Sequence, residues 1–189
     1  MYIKKLVRYS FFCLNRLLSL IPYPKKKVLL KVDYVASDLG NCGIACVAMI
    51  VRDVSVNELI NSYKKEPFYK DPIGWYHNGL VHILAQNGHR AKALRFQTVV
   101  QLRNYLSNGQ PVVVSLKVPF PDNIDANVVY KAIDRKKELT GHLCVLTGFD
   151  QQGFYLHDPR NIRNYSKNVY VPYGRFAEIF NGSGILIYQ

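Results

Sequence analysis

Residues 43–51, Gly-Ile-Ala-Cys-Val-Ala-Met-Ile-Val, constrain this chain more than any other stretch. They hold no charged side chain and follow directly on the loop around Asp38 and Asn41. The alanine-rich run reads as a helix, and a helix that is apolar on every side is stable only where other elements cover it all round. A chain of 189 residues is long enough to supply that cover within one domain. With 49% apolar and 13% aromatic residues it is globular rather than disordered.

The covering elements are legible from periodicity and punctuation. "KVLLKVDYV" (27–35) predicts a strand. "SVNELINSY" opens with a Ser55…Glu58 capping box and predicts a second helix. "NGLVHILAQNG" (78–88) predicts a third, ended by Gly88. "TVVQLRNYLSNG" starts on another box, Thr98…Gln101, and stops at Gly109. "PVVVSLKV", "HLCVLTGFD", "GFYLHD", "NVYVPY" and "GILIYQ" read as strands, with a short helix "GRFAEIF" before the last. Residues 119–140 are polar and give no clear element. Helices early and mostly antiparallel strands late make an α+β domain, with N-terminal helices packed on the sheet.

The net charge of +12 is concentrated at one end. Lys4, Lys5, Arg8, Arg16, Lys25, Lys26, Lys27 and Lys31 lie in residues 1–32, which hold no acid. A nucleic-acid binder carries its charge across a folded face, so this pattern argues against nucleic acid as partner. Wound at about 100° per residue, residues 3–21 put Ile3, Leu6, Val7, Leu14, Leu17, Leu18, Leu20 and Ile21 on one side. Lys4, Lys5, Arg8, Asn15, Arg16 and Ser19 take the other, with Phe12 the exception. The run is too short and too charged to span a bilayer, and it lacks the small-residue cleavage site of a secretory signal. Two readings stand side by side: the helix lies in a membrane interface, or it packs on the domain. Pro22, Pro24 and Lys25–Lys27 then form a linker, giving residues 1–27 as helix and linker and 28–189 as the domain.

Four cysteines (Cys13, Cys42, Cys46, Cys144) do not make a disulfide scaffold. Cys42 opens the apolar helix, where unpaired N–H groups and the helix dipole favour a thiolate. Gly43 leaves room for a substrate to approach. Cys46, one turn along, belongs to the core. A thiolate nucleophile needs a base and a group to orient that base. His142 begins the strand "HLCVL" behind Gly141, and Asp158 closes the next strand ahead of Pro159. A hairpin folded symmetrically about Asp150 would set His142 opposite Asp158. A tight three-residue turn ending at Gly153 would offset them by about 13 Å. The pair therefore needs a longer turn or a bulge, expected at Gly148.

"NCGIACVAMI", "GHLCVLTGFD" and "FYLHDP", in that order from about Val32 to Gln189, resemble the papain-like cysteine peptidases that remove double-glycine leaders from bacteriocins and related peptides. The resemblance implies a papain-like fold, Cys42 as nucleophile, His142 as base and Asp158 as orienting carboxylate, with no cofactor. It implies a peptide or peptide-precursor substrate and a cytoplasmic site of action, peripheral on the inner face of the membrane if residues 3–21 bind there. Membrane and ATPase regions of the related transporters are missing from this sequence, so an exporter would be a separate protein. Asn41 stands where the family has an acid, and Ala36 stands where it has a glutamine that helps hold the oxyanion. Ser37 or the Asn41 side chain, with the Cys42 N–H, are the substitutes at hand.

Two other readings compete. One keeps the fold as a peptide-binding module with weak or no turnover. The other counts Cys42, Cys46, Cys144 and His142 as structural zinc ligands, although C-x₃-C inside one apolar helix departs from usual zinc spacing. Trp75 and His77, in "GWYHNG", either wall a substrate cleft or pack over the third helix. His157 points away from Asp158 in a regular strand, and His82 and His89 read as helix-surface residues.

Overall fold

The computed structural model describes residues 13, 14, 17, 18, 27–38, 40–71, 74–95, 97–119, 139–160 and 166–188. Most of the expected amphipathic helix, the linker at 22–26 and most of the 119–140 stretch lie outside the described residues.

The apolar helix forms as α1 (Cys42–Val51), buried at every position from Gly43 to Ile50. Its cover comes from α2 (Val56–Tyr63), α3 (His77–Gln86) and one face of a large sheet. Both capping boxes form: Ser55 with Glu58 at the start of α2, and Thr98 with Gln101 at the start of α4 (Val99–Ser107). Gly88 and Gly109 follow α3 and α4 at positive φ, where a Cβ is strained.

The sheet has seven strands: β1 (Lys27–Leu29), β4 (Arg90–Leu94), β5 (Val112–Pro119), β6 (Leu139–Asp150), β7 (Gly153–His157), β8 (Val169–Pro172) and β9 (Phe180–Tyr188). The order is β4-β9-β5-β6-β7-β8, with β1 added beside β6, and every pairing is antiparallel. β2 (Tyr69–Lys70) and β3 (Gly74–Trp75) form a separate ribbon between α2 and α3.

Alternation along the central strands splits the core into two layers. Val113, Leu143, Val145, Ile185 and Ile187 face α1, α2 and α3. Val112, Val114, Cys144, Leu146 and Leu186 face α4 and α5 (Tyr173–Ile179). Helices therefore cover both faces, α1, α2 and α3 on one and α4 with the expected short helix α5 on the other, because the central strands are apolar at odd and even positions alike. Two elements depart from expectation. The 27–35 strand stops at Leu29, and "RAKAL" (90–94) forms the unforeseen edge strand β4.

Candidate active site

β6 and β7 bring His142 and Asp158 together through one irregularity. Phe149 pairs with Phe154, so the turn is tighter than expected, with Gln151 and Gln152 at its tip. Continued unchanged, that register would put Asp158 opposite Val145 and on the wrong face, since a slip of one residue reverses a strand's faces. The register shifts between Leu146 and Gly148, which makes Thr147 the extra residue of a bulge. Beyond it Leu146 pairs with Leu156 and Val145 with His157, so the next step sets Asp158 across from Cys144. Asp158 is then on the His142 face, two residues along, or about 6.6 Å. That is a diagonal pair within side-chain reach, not the directly opposed pair of a symmetric hairpin. The bulge falls where Gly148 was expected to place it. Glycine is required there because an added Cβ would collide with the Val28 carbonyl of β1.

His142 Nε2 lies 2.7 Å from Asp158 Oδ1, and both side chains are buried. Nε2 is committed to the carboxylate, and two thiols feel the ring: Cys42 at the start of α1, and Cys144, its neighbour two residues along β6. Cys42 is the first residue of α1 and half-buried. Burial opposes a thiolate there, but the bond and charge of His142 and the Leu143 N–H outweigh it, so the thiol sits below its ordinary value. Burial also opposes a charged ring at His142, where Cys144 and the Asp158 carboxylate hold the imidazole well above its usual value. The Cys144 thiol is itself pushed up by burial and is neutral, so the carboxylate carries that effect. Asp158 is buried too, yet His142 and the Arg160 guanidinium keep it well below the usual carboxylate range. The three groups suit a thiolate–imidazolium pair steadied by a carboxylate.

The remaining expected residues fall around this core. Asn41 precedes α1 without capping it, and its Oδ1 accepts a 3.4 Å bond from Trp75 Nε1. Trp75 is buried against the Tyr69 ring and so stands next to the nucleophile's loop. Gly43 is glycine for packing, not for substrate approach: its Cβ would press on Leu80, Leu143 and Trp75 at 3.0–3.2 Å. Gly141 is exposed, and a Cβ there would meet nothing within 4 Å. Ala36 is exposed. The Ser37 hydroxyl donates to the Asp38 carbonyl, and its N–H donates to Pro159 O. His77 is half-buried, with burial and the nearby Arg95 charge lowering its basicity. His157 is buried and structural: Nδ1 accepts from Asn168 N–H, so Nε2 carries the proton to Val32 O. His82 is exposed on α3, whereas His89 lies beyond the end of that helix.

Cys46 is fully buried in the core as expected, and Cys13, Cys42, Cys46 and Cys144 are all free. Among the described residues, the group with metal-compatible spacing is His142, Cys144 and Asp158, within 4.8 Å of one another. This is not the four-residue zinc set read from the sequence, and its carboxylate is already bonded to His142 and Arg160. Cys144 was named beside His142 only in the zinc reading, and Arg160 was missed as a neighbour of the site. The alternation of β6 places Cys144 beside His142, but nothing in "HDPR" marks the arginine as turning back on the aspartate.

Solved structures share this fold. A putative C39-like peptidase from Bacillus anthracis is 21% identical, with 87% of this chain and 98% of that one covered and a TM-score of 0.63. Xylellain, a cysteine protease from Xylella fastidiosa, is 14% identical, with 88% and 89% covered and a TM-score of 0.60. A double glycine motif protease from an AMS/PCAT transporter, solved in complex with the leader peptide, is 17% identical, with 89% and 98% covered and a TM-score of 0.57. No curated protein matches. The model of the Peptidase_C39 like family matches residues 29–185, which take in Cys42, His142 and Asp158. By that match the chain belongs to the Peptidase_C39 like family and is a cysteine-type peptidase.

Proposed function

We propose that this chain hydrolyses one peptide bond in a leader-bearing peptide precursor, with Cys42, His142 and Asp158 as the catalytic triad. The observation that carries the reading is the buried His142 Nε2–Asp158 Oδ1 pair at 2.7 Å, and the lowering of the Cys42 thiol pKa by His142 supports Cys42 as its nucleophile. The Cys42 thiolate attacks the scissile carbonyl carbon. His142 gives its Nδ1 proton to the departing amine, and the amine leaves as the thioester forms. His142 then takes a proton from water, whose oxygen attacks the thioester, and the Cys42 sulfur is released. Asp158 stabilises the imidazolium throughout and is not itself protonated.

The developing oxyanion is held by the Cys42 N–H and the Asn41 side-chain amide, which takes the place of the glutamine missing at Ala36. Trp75 supports this role: an indole N–H only donates, so it binds the Asn41 oxygen and leaves the NH₂ end on the other side of the amide. Gly141 is exposed directly ahead of His142 with open space over its backbone, and the peptide is taken to approach along it.

The test is a synthetic precursor with Gly-Gly ahead of the scissile bond, followed by mass spectrometry. Cleavage after the second glycine is expected, with loss of turnover when that Gly-Gly is replaced by Ala-Ala. Tight binding without product would support the non-catalytic peptide-binding reading. The leader-bound relative motivates this substrate, and because that relative comes from a transporter, an exporter is the partner proposed to carry the product.

A site at the inner face of the membrane is proposed for the N-terminal segment. Arg103 on α4 donates to Leu18 O at 3.2 Å, so the segment touches the domain, while Leu14 and Leu17 are 47% and 67% exposed. No helix among the described residues is long and apolar enough to cross a membrane. With anionic liposomes, the full chain is expected to pellet and the chain lacking residues 1–24 to stay in solution. Equal pelleting of both would overturn the membrane role.

A further inference from the structure

Among the described residues, Asp158 is held by His142 and by Arg160, and Arg160 stands outside the triad. The Arg160 Nε lies 3.1 Å from Oδ1 and 3.0 Å from Oδ2, its Nη2 lies 2.6 Å from Oδ2, and its own backbone N–H donates to Oδ1 at 2.9 Å. The guanidinium is buried. A planar fork meeting both oxygens of a carboxylate fixes the plane of that carboxylate as well as its position.

The arginine is itself anchored on two sides. Ser37 bridges to Arg160 with its N–H on Pro159 O at 2.8 Å, and Ser37 lies in the segment that runs into α1 and Cys42. Ser166 Oγ donates to Arg160 O at 2.7 Å, and Asp158 N–H donates to Ser166 O at 2.8 Å. The arginine therefore sits at the junction of the nucleophile's loop and the carboxylate's loop.

We infer that Arg160 is a positioning residue of the active site: it holds the Asp158 carboxylate where Oδ1 meets His142 Nε2, and keeps that carboxylate charged. The inference rests on the Cys42–His142–Asp158 reading. Among the described residues, the titratable groups whose charge bears on Asp158 include His142 and Cys144 from β6, Cys42 and Cys46 from α1, Tyr34 from the segment before α1, and Arg160. Burial pushes Cys46, Cys144 and Tyr34 up, so they stay neutral. Among the described residues, Arg160 and the imidazolium keep Asp158 ionised.

The sign of the effect follows. Without Arg160 the buried carboxylate protonates at higher pH. As pH falls His142 then loses its anionic partner sooner, and the thiolate at Cys42 is lost with it. The acidic limb of Cys42 alkylation by iodoacetamide, followed on the full chain with the modified site identified by mass spectrometry, is expected to move up by about 1–3 pH units in Arg160→Met. Arg160→Lys, which restores the charge but not the fork, is expected to recover part of that shift.

A folded Arg160→Met chain with the wild-type acidic limb would overturn the inference and leave the triad standing. A wild-type Cys42 that reacts only as a free thiol would instead overturn the triad. Should Arg160→Met not fold, the ¹³C carboxyl resonance of Asp158 in the His142→Ala chain, where the imidazolium is gone and Arg160 remains, decides, assigned by its loss in Asp158→Asn. A signal that stays ionised well below about pH 4 supports the positioning role, and titration at that ordinary value overturns it.

Discussion

Cys42→Ala is expected to abolish peptide hydrolysis, lowering kcat by roughly 10⁴- to 10⁶-fold, the range found when one member of a nucleophile–base unit is removed. His142→Ala is expected to cost a comparable factor, and the double variant little more than either single one, because the two act together. The physical signature precedes turnover and needs no substrate. In the wild-type chain the thiolate forms as pH rises through the lowered Cys42 value. The imidazolium that stabilises it is lost only as pH rises through the raised His142 value. The reactive ion pair therefore spans the pH range between those limits, and iodoacetamide is expected to alkylate Cys42 well below about pH 8.5, the ordinary thiol value. In His142→Ala burial, the Leu143 N–H and the Asp158 charge remain to act on the thiol, and burial and that charge raise it. Low-pH alkylation should vanish while reaction at high pH persists. Superimposable alkylation curves for the wild type and His142→Ala would show that the ring does not activate this sulfur.

How much of this was legible in the sequence depends on whether the deciding interaction is local. The two capping boxes and the glycines after α3 and α4 act within four residues, so they could be read directly. The burial of α1 was equally plain, because nine residues without a polar side have no exposed alternative. Strand β4 was missed for the complementary reason. "RAKAL" has little intrinsic strand preference, and it pairs because β9 offers it an edge from the other end of the chain. Register fell between these cases. Gly148 could be foreseen as the bulge, but the two-residue turn at Gln151–Gln152 could not, and the turn and bulge together set the diagonal pairing of His142 with Asp158. Least legible was Arg160. Its contact with Asp158 spans only two residues, but it depends on Ser37 and Ser166 closing around the loop, and those partners lie 123 residues before it and 6 residues after it.

Asn41→Ala is expected to lower kcat by about 10²- to 10³-fold with little change in KM, the cost of one oxyanion donor that acts only in the transition state. The variant removes the amide but leaves the Cys42 N–H, the triad and the helix start, since Asn41 makes no side-chain cap to α1. The low-pH alkylation of Cys42 should therefore survive, which separates loss of the donor from damage to the nucleophile. Trp75→Phe removes the N–H that fixes the amide while keeping an aromatic ring in the pocket, and a smaller loss in kcat is expected. Ala36→Gln supplies the reciprocal test. The Ala36 side chain is exposed, so a longer one can be accommodated. A glutamine there should restore most of the rate lost in Asn41→Ala, while adding little to the wild type, whose site is already filled. The opposite pattern would sink the assignment of Asn41. If Asn41→Ala keeps the wild-type kcat and Ala36→Gln alone raises it by a similar factor, the natural chain works with a single donor and the amide beside Cys42 serves only to hold Trp75.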